Sequence, residues 1–119
     1  MDIGGERSQL LIKLMSATTL RDRWLSNNIA NQSVPGYKRR DVRFEELLQQ
    51  KIERGEPDLL ATKPEVLVDE TSPANSEGNN VNLEQETAKA RENRLMFELY
   101  ASIFQSRMDL MQTAITQSR

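Results

Sequence analysis

From Leu83 to Arg119 the chain contains neither glycine nor proline. Asn82 and Gln85, three residues apart, form a capping box at its start, and Glu84 and Glu86 suit the positive end of a helix dipole. A long helix is the expected outcome. Leu83, Thr87, Ala90, Arg94, Phe97, Ala101, Phe104, Met108, Met111 and Ile115 follow one another in steps of four and three. That average spacing of 3.5 predicts a left-handed coiled-coil seam, interrupted only at Thr87 and Arg94. Beside it, Leu95, Met96, Leu99, Tyr100, Ile103, Leu110 and Ala114 form a second apolar strip, which one antiparallel partner cannot cover together with the first.

A second helix is expected from about 8 to 31. Its apolar residues fall in two neighbouring stripes, one through Leu11, Met15, Thr18, Leu25 and Ile29 and another through Leu10, Leu14, Ala17 and Trp24. Asn27, Asn28 and Asn31 weaken its end, because asparagine competes for nearby backbone groups. Pro35 forbids continuation, and Gly36 supplies a positive φ for the turn. The chain leaves the turn in a basic, strand-like run, Lys38-Arg39-Arg40, before a short helix expected to begin near Asp41. That helix carries Phe44, Leu47, Leu48 and Ile52 and stops at Gly55 and Pro57. Residues 56–80 hold Pro57, Pro64, Pro73 and Gly78 and are expected to be an irregular loop, with an isolated extended piece at Val66-Leu67-Val68. The predicted fold is a single all-α domain over 1–119. Two long helices form an antiparallel coiled-coil hairpin, joined through a turn and short helix at about 32–55 and a loop at about 56–80, with the C-terminal helix at about 83–117.

Composition narrows the chemistry. The 119 residues include no cysteine and no histidine, which removes thiolate nucleophiles, imidazole bases, disulfides and the usual zinc ligands. No calcium-loop pattern occurs, so no metal or other cofactor is expected. Glu45, Glu46, Glu84 and Glu86 stand where acidic residues serve a helix dipole rather than acid–base catalysis, and no catalytic residue is assigned. The basic run from Lys38 to Arg43 is short and interrupted by Asp41 in a chain of net charge −2, so no nucleic-acid partner is expected. Met1 to Arg7 lacks the basic start and apolar stretch of a secretory signal, and no apolar run approaches a membrane span.

Two motifs carry a family resemblance. The run Ser26-Asn27-Asn28-Ile29-Ala30-Asn31-Gln32-Ser33-Val34-Pro35-Gly36-Tyr37-Lys38 resembles the N-terminal signature of the flagellar axial proteins, the rod, hook and hook-filament junction family, with Ser26 in place of alanine and Val34 in place of threonine. Gly78-Asn79-Asn80-Val81-Asn82-Leu83-Glu84-Gln85-Glu86 resembles the G-N-N-V-D-L-D-x-E motif that opens the C-terminal helix of a rod-forming member, with Asn82 in place of aspartate. The resemblance implies a structural subunit, not an enzyme. It would belong to the proximal rod of the bacterial flagellar basal body, polymerising by helix packing and transmitting torque from the membrane rotor to the hook. Implied partners are further copies of the chain, neighbouring rod and rod-base proteins and the flagellar type III export apparatus. The implied location is the periplasmic rod, reached without a cleaved signal peptide or direct membrane insertion. Another rod subunit of the family and a cytosolic helical adaptor are the alternatives. The expected assembly interface is Leu11, Met15, Trp24, Leu25, Ile29, Phe97, Phe104, Met108, Met111 and Ile115.

Overall fold

The computed structural model describes residues 5–117. Residues 1–4 of the stretch read for a secretory signal lie outside the described residues. Helix α1 runs over Glu6–Ala30 and stops where Asn31 N–H bonds back to the carbonyls of Asn27 and Asn28, both at 3.1 Å. Gly36 then takes φ +76°, a conformation that costs a residue with a side chain about 1 to 2 kcal/mol. Strand β1, Arg40–Arg43, leads through Phe44 into helix α2, Glu45–Glu53. A single 3-10 turn, Leu59–Ala61, precedes strand β2, Glu65–Val68, and helix α3 completes the chain over Leu83–Gln117. Asn82 caps α3, its Oδ1 accepting from Gln85 N–H at 3.1 Å and its carbonyl from Glu86 N–H at 2.9 Å.

The all-α expectation fails in the middle of the chain. β1 and β2 pair antiparallel, Arg40 opposite Val68 and Arg43 opposite Glu65. The piece at Val66-Leu67-Val68 is therefore not isolated, and Asp41 belongs to a strand rather than to the short helix, which starts at Glu45. The cause is local. Val42, Val66 and Val68 are β-branched and favour extended backbone, and Val42 turns inward between the exposed Asp41 and the half-buried Arg43.

The two-long-helix coiled-coil hairpin is corrected as well. At 35 residues α3 is the one long helix, against 25 for α1. The two run antiparallel, tied at three levels: Arg107 to Ser8, Asn93 to Thr18 and Asn28 to Glu86. The face of α3 turned toward α1 is rotated by one residue from the predicted seam. Glu86, Asn93 and Tyr100 are buried and Arg107 is half-buried, seven residues apart, whereas Phe97 and Ile115 stay exposed. Polar side chains thus occupy alternate seam positions, which apolar periodicity cannot register.

An apolar cluster lies along the neighbouring stripe of α1, where Ala17 packs with Phe44 and Leu48 of the α2 region and with Leu10, Leu14 and Leu59. The second stripe of α1 is therefore covered by the chain itself. That of α3 is covered at Tyr100 but largely open elsewhere: Leu95, Leu99, Ile103 and Leu110 are 65%, 51%, 41% and 71% exposed.

Candidate functional site

The two motifs, separated by some forty residues of chain, meet in one polar clasp at the C-terminal end of α1. Gly36 N–H bonds to the carbonyl of Glu77 at 2.8 Å, and Gly78, at φ +79°, brings its backbone against that of Gly36. Lys38 Nζ donates to the Gly78 carbonyl at 2.5 Å. Three asparagines fix the corner because a carboxamide both donates and accepts. Asn28, fully buried, accepts from Arg40 N–H and donates to Arg40 C=O, both at 3.0 Å, as a neighbouring strand would. It also accepts from the Tyr37 hydroxyl at 2.9 Å. Asn79 donates to the carbonyls of Asn31 and Val34 at 2.9 and 2.8 Å, adding to the backbone bonds that these carbonyls accept in the turn after α1. Asn80 accepts from Arg39 N–H at 2.7 Å and donates to Asp69 C=O at 2.8 Å.

Arg39 occupies the centre, with only 3% of its side chain exposed. Its guanidinium donates to Glu86, to both oxygens of Asp41 at 2.6 and 2.7 Å, and to Asp69 at 3.0 Å. Glu86 is itself 1% exposed, so an unpaired charge on either side would be costly. Burial disfavours the charged guanidinium, but its three carboxylate partners outweigh this and raise its pKa. Asp69 shows the same competition: burial opposes ionisation, and bonds from Ser72, the Thr71 and Ser72 amides and Arg39 hold its carboxyl well below the usual range. Burial also raises the Tyr37 hydroxyl.

A second polar group lies farther along α1. Arg21 donates to Glu45 at 2.6 Å, to Asn93 at 3.2 Å and to the Val42 carbonyl, while the Tyr100 hydroxyl donates to Glu45 at 3.2 Å. Burial, then the neighbouring Glu45, pushes the Tyr100 hydroxyl up to about 12. In Glu45, burial is outweighed by Arg21, and its pKa is lowered.

The expected interface residues divide by environment. Leu11, Leu25 and Met111 are buried within the chain; Met15, Trp24, Ile29, Phe104 and Met108 are half-buried; Phe97 and Ile115 are exposed. Trp24, with Arg40 stacked 5.1 Å from its ring centre, walls an open groove of about 780 Å³ together with Val42, Val68 and Met96. Of the motif residues, Asn28, Asn79 and Asn80 are buried, Asn31, Tyr37, Gly78, Ile29 and Val81 half-buried, and Asn27, Ala30, Pro35 and Gly36 exposed. The clasp depends on four residues the sequence reading left out of the site: Arg39, Asp41, Asp69 and Glu86. For Glu86 a signal existed, in its place as the last residue of the second motif. For Arg39 none did.

The arrangement holds backbone in place through side-chain bonds to main-chain groups. The cation among its carboxylates is Arg39 itself, and among the described residues no cluster of acidic side chains is placed to hold a metal ion. No protein-family model matches the chain. Its sequence is nevertheless similar to the flagellar basal body rod protein FlgB of Borreliella burgdorferi, 24% identical over 110 residues, and to that of Borrelia hermsii, 27% identical over 110 residues. Each match covers 76% of this chain and 82% of the relative.

Proposed function

Starting from this similarity to flagellar rod protein FlgB, we propose that the chain is a structural subunit of the proximal flagellar rod that carries torque from the membrane rotor to the hook. The observation that carries the reading is the FlgB similarity over most of both lengths. The clasp supports it, because a force-bearing subunit needs its helices fixed in direction, and Asn28, Asn79, Asn80 and Arg39 fix them through many short bonds rather than through deformable packing. The uncovered flank of α3, Leu95 to Leu110, supplies the apolar surface by which such a subunit packs on neighbouring rod and rod-base proteins and on further copies of itself. No described helix is long and apolar enough to cross a membrane, which suits a subunit passed to the periplasm by the flagellar export apparatus and assembled there.

The test is a deletion strain. Deletion is expected to abolish rods and motility while the membrane rotor ring is still inserted, with both restored by the intact gene. Rods of normal composition in the deletion strain would overturn the reading. Recovery of the protein only from the cytosol would favour a helical adaptor. Replacement of the chain by another subunit at the same level of the rod would point to a different rod protein.

A further inference from the structure

The two ends of the α1–α3 pair are held by different forces. Over the first half of α1 the buried residues are the apolar Leu11, Ala17, Tyr100 and Met111 with the uncharged Ser8, Thr18 and Asn93 between them, and the apolar cluster around Phe44 and Leu48 lies alongside. Near its end, beyond the buried Leu25, the contacts are polar and include a buried ion pair. Glu86 of α3 reaches α1 through Asn28 and reaches the intervening chain through Arg39. Arg39 in turn is tied to Asp41, Asp69 and the side chain of Asn80. Burial of a charged group is favourable only while all its partners are present, so this end closes with its whole network or not at all. Apolar packing at the other end has no such condition.

We propose that residues 31–43 and 65–82 form a latch, centred on Arg39, that opens as one unit together with the first two turns of α3 while the Phe44 end of the molecule stays folded. The latch comprises the turn after α1, the β1–β2 ribbon and the turn before α3. Helix α2 lies outside it, because Phe44 and Leu48 anchor α2 to Ala17. Without the Arg39–Glu86 pair the ribbon is tied to α1 by Asn28 at the Arg40 backbone, by Arg21 at the Val42 carbonyl and by the stacking of Arg40 on Trp24, none of them a buried ion pair. Closed, the latch sets the direction in which the ribbon and turns project from the helix pair; open, it leaves that direction undefined. The inference concerns the single subunit and does not depend on the rod reading.

The chain provides its own reporter, since Trp24 is the only tryptophan and Arg40 of the ribbon stacks on it. In a urea titration of the full-length protein, Trp24 fluorescence is expected to change at lower urea than far-UV ellipticity, which follows the helices. Hydrogen exchange in native buffer is expected to give residues 39–43, 65–69 and 83–90 a common rate at least tenfold faster than residues 10–18 and 100–111. Glu86→Gln should accelerate the first group a further tenfold or more and the second by less than threefold. Coincident fluorescence and ellipticity transitions in the unaltered protein would overturn the proposal, as would equal acceleration of both groups in Glu86→Gln. The wild-type measurements decide the matter even where the variant fails to fold.

Discussion

Helices α1 and α3 both carry two apolar stripes, yet the chain treats them differently. One stripe of α1 faces α3 and the other is sheathed by Phe44, Leu48 and Leu59. In α3 the inward face is covered, but Leu95, Leu99, Ile103 and Leu110 are left to solvent. Covering a helix on two sides requires a second layer, and among the described residues that layer is the segment between the two helices. That segment has one compact side to offer, and it lies on α1. A wide apolar sector therefore does not by itself report a surface awaiting partners; the difference between the helices is that the exposed apolar side chains lie on α3.

Removing the sheath tests the contrast most strongly. Phe44→Ala is expected to cost about 3 to 5 kcal/mol, the range for deleting a buried aromatic ring, measured as a lowered urea midpoint. A loss below about 1 kcal/mol would mean that α1 also depends on outside cover. Next comes the inward face of α3, where Asn93→Ala removes the donor to the Thr18 carbonyl and the acceptor for Arg21. The expected loss is about 1 to 3 kcal/mol, because the carboxamide that bridges the buried Thr18 to α3 is lost, while Arg21 keeps Glu45 and the Val42 carbonyl. An unchanged midpoint would place the binding of α3 to α1 elsewhere.

Acid should act more mildly, and first on the covering layer. Asp69 and Glu45 have folded pKa values below their ordinary ones. The stability they contribute is complete above the unfolded carboxylate range of about pH 4 and is lost as pH falls through the folded values. Thermal melting across this range should show a falling midpoint below about pH 4, and Asp69→Asn should flatten that dependence. The smallest effect belongs to the open flank. Leu99→Ser should change subunit stability by no more than about 0.5 kcal/mol, as exposed substitutions do, while reducing motility in a complemented deletion strain. Destabilisation above about 2 kcal/mol would show that the subunit itself covers this flank.

How much was legible follows from what each residue advertises. Gly36, Pro35 and the Asn82–Gln85 pair act over a few bonds, so the turn with positive φ and the α3 cap can be inferred from neighbours alone. The turned seam of α3 was hidden because Glu86, Asn93 and Arg107 have the composition of a surface, and only their partners in α1 and β1 make them interior. Strand β1 was hidden because its mate β2 lies more than twenty residues on, and pairing at that distance leaves no local period to detect. Asn28 looked like a residue that frays a helix; its bonds to Arg40 exist only after the chain has turned back. Among the clasp residues, the motifs supplied Asn28, Asn79 and Asn80, while Arg39 lay in a basic run weighed as a nucleic-acid patch.

The carboxamides of Asn28, Asn79 and Asn80 each point one atom that gives a proton and one that receives it at opposite poles of the same gap. The corner therefore has handedness at the level of single atoms. Aspartate would fit the space at Asn28 but set oxygen against the Arg40 carbonyl, leucine would fill the volume and silence both poles, and glutamine would keep the poles and overshoot by a methylene. Three small side chains thus act as keyed inserts, each accepting one orientation. Conversion of any one of them to its acid, a change of one mass unit, would invert the key and leave the shape of the part nearly untouched.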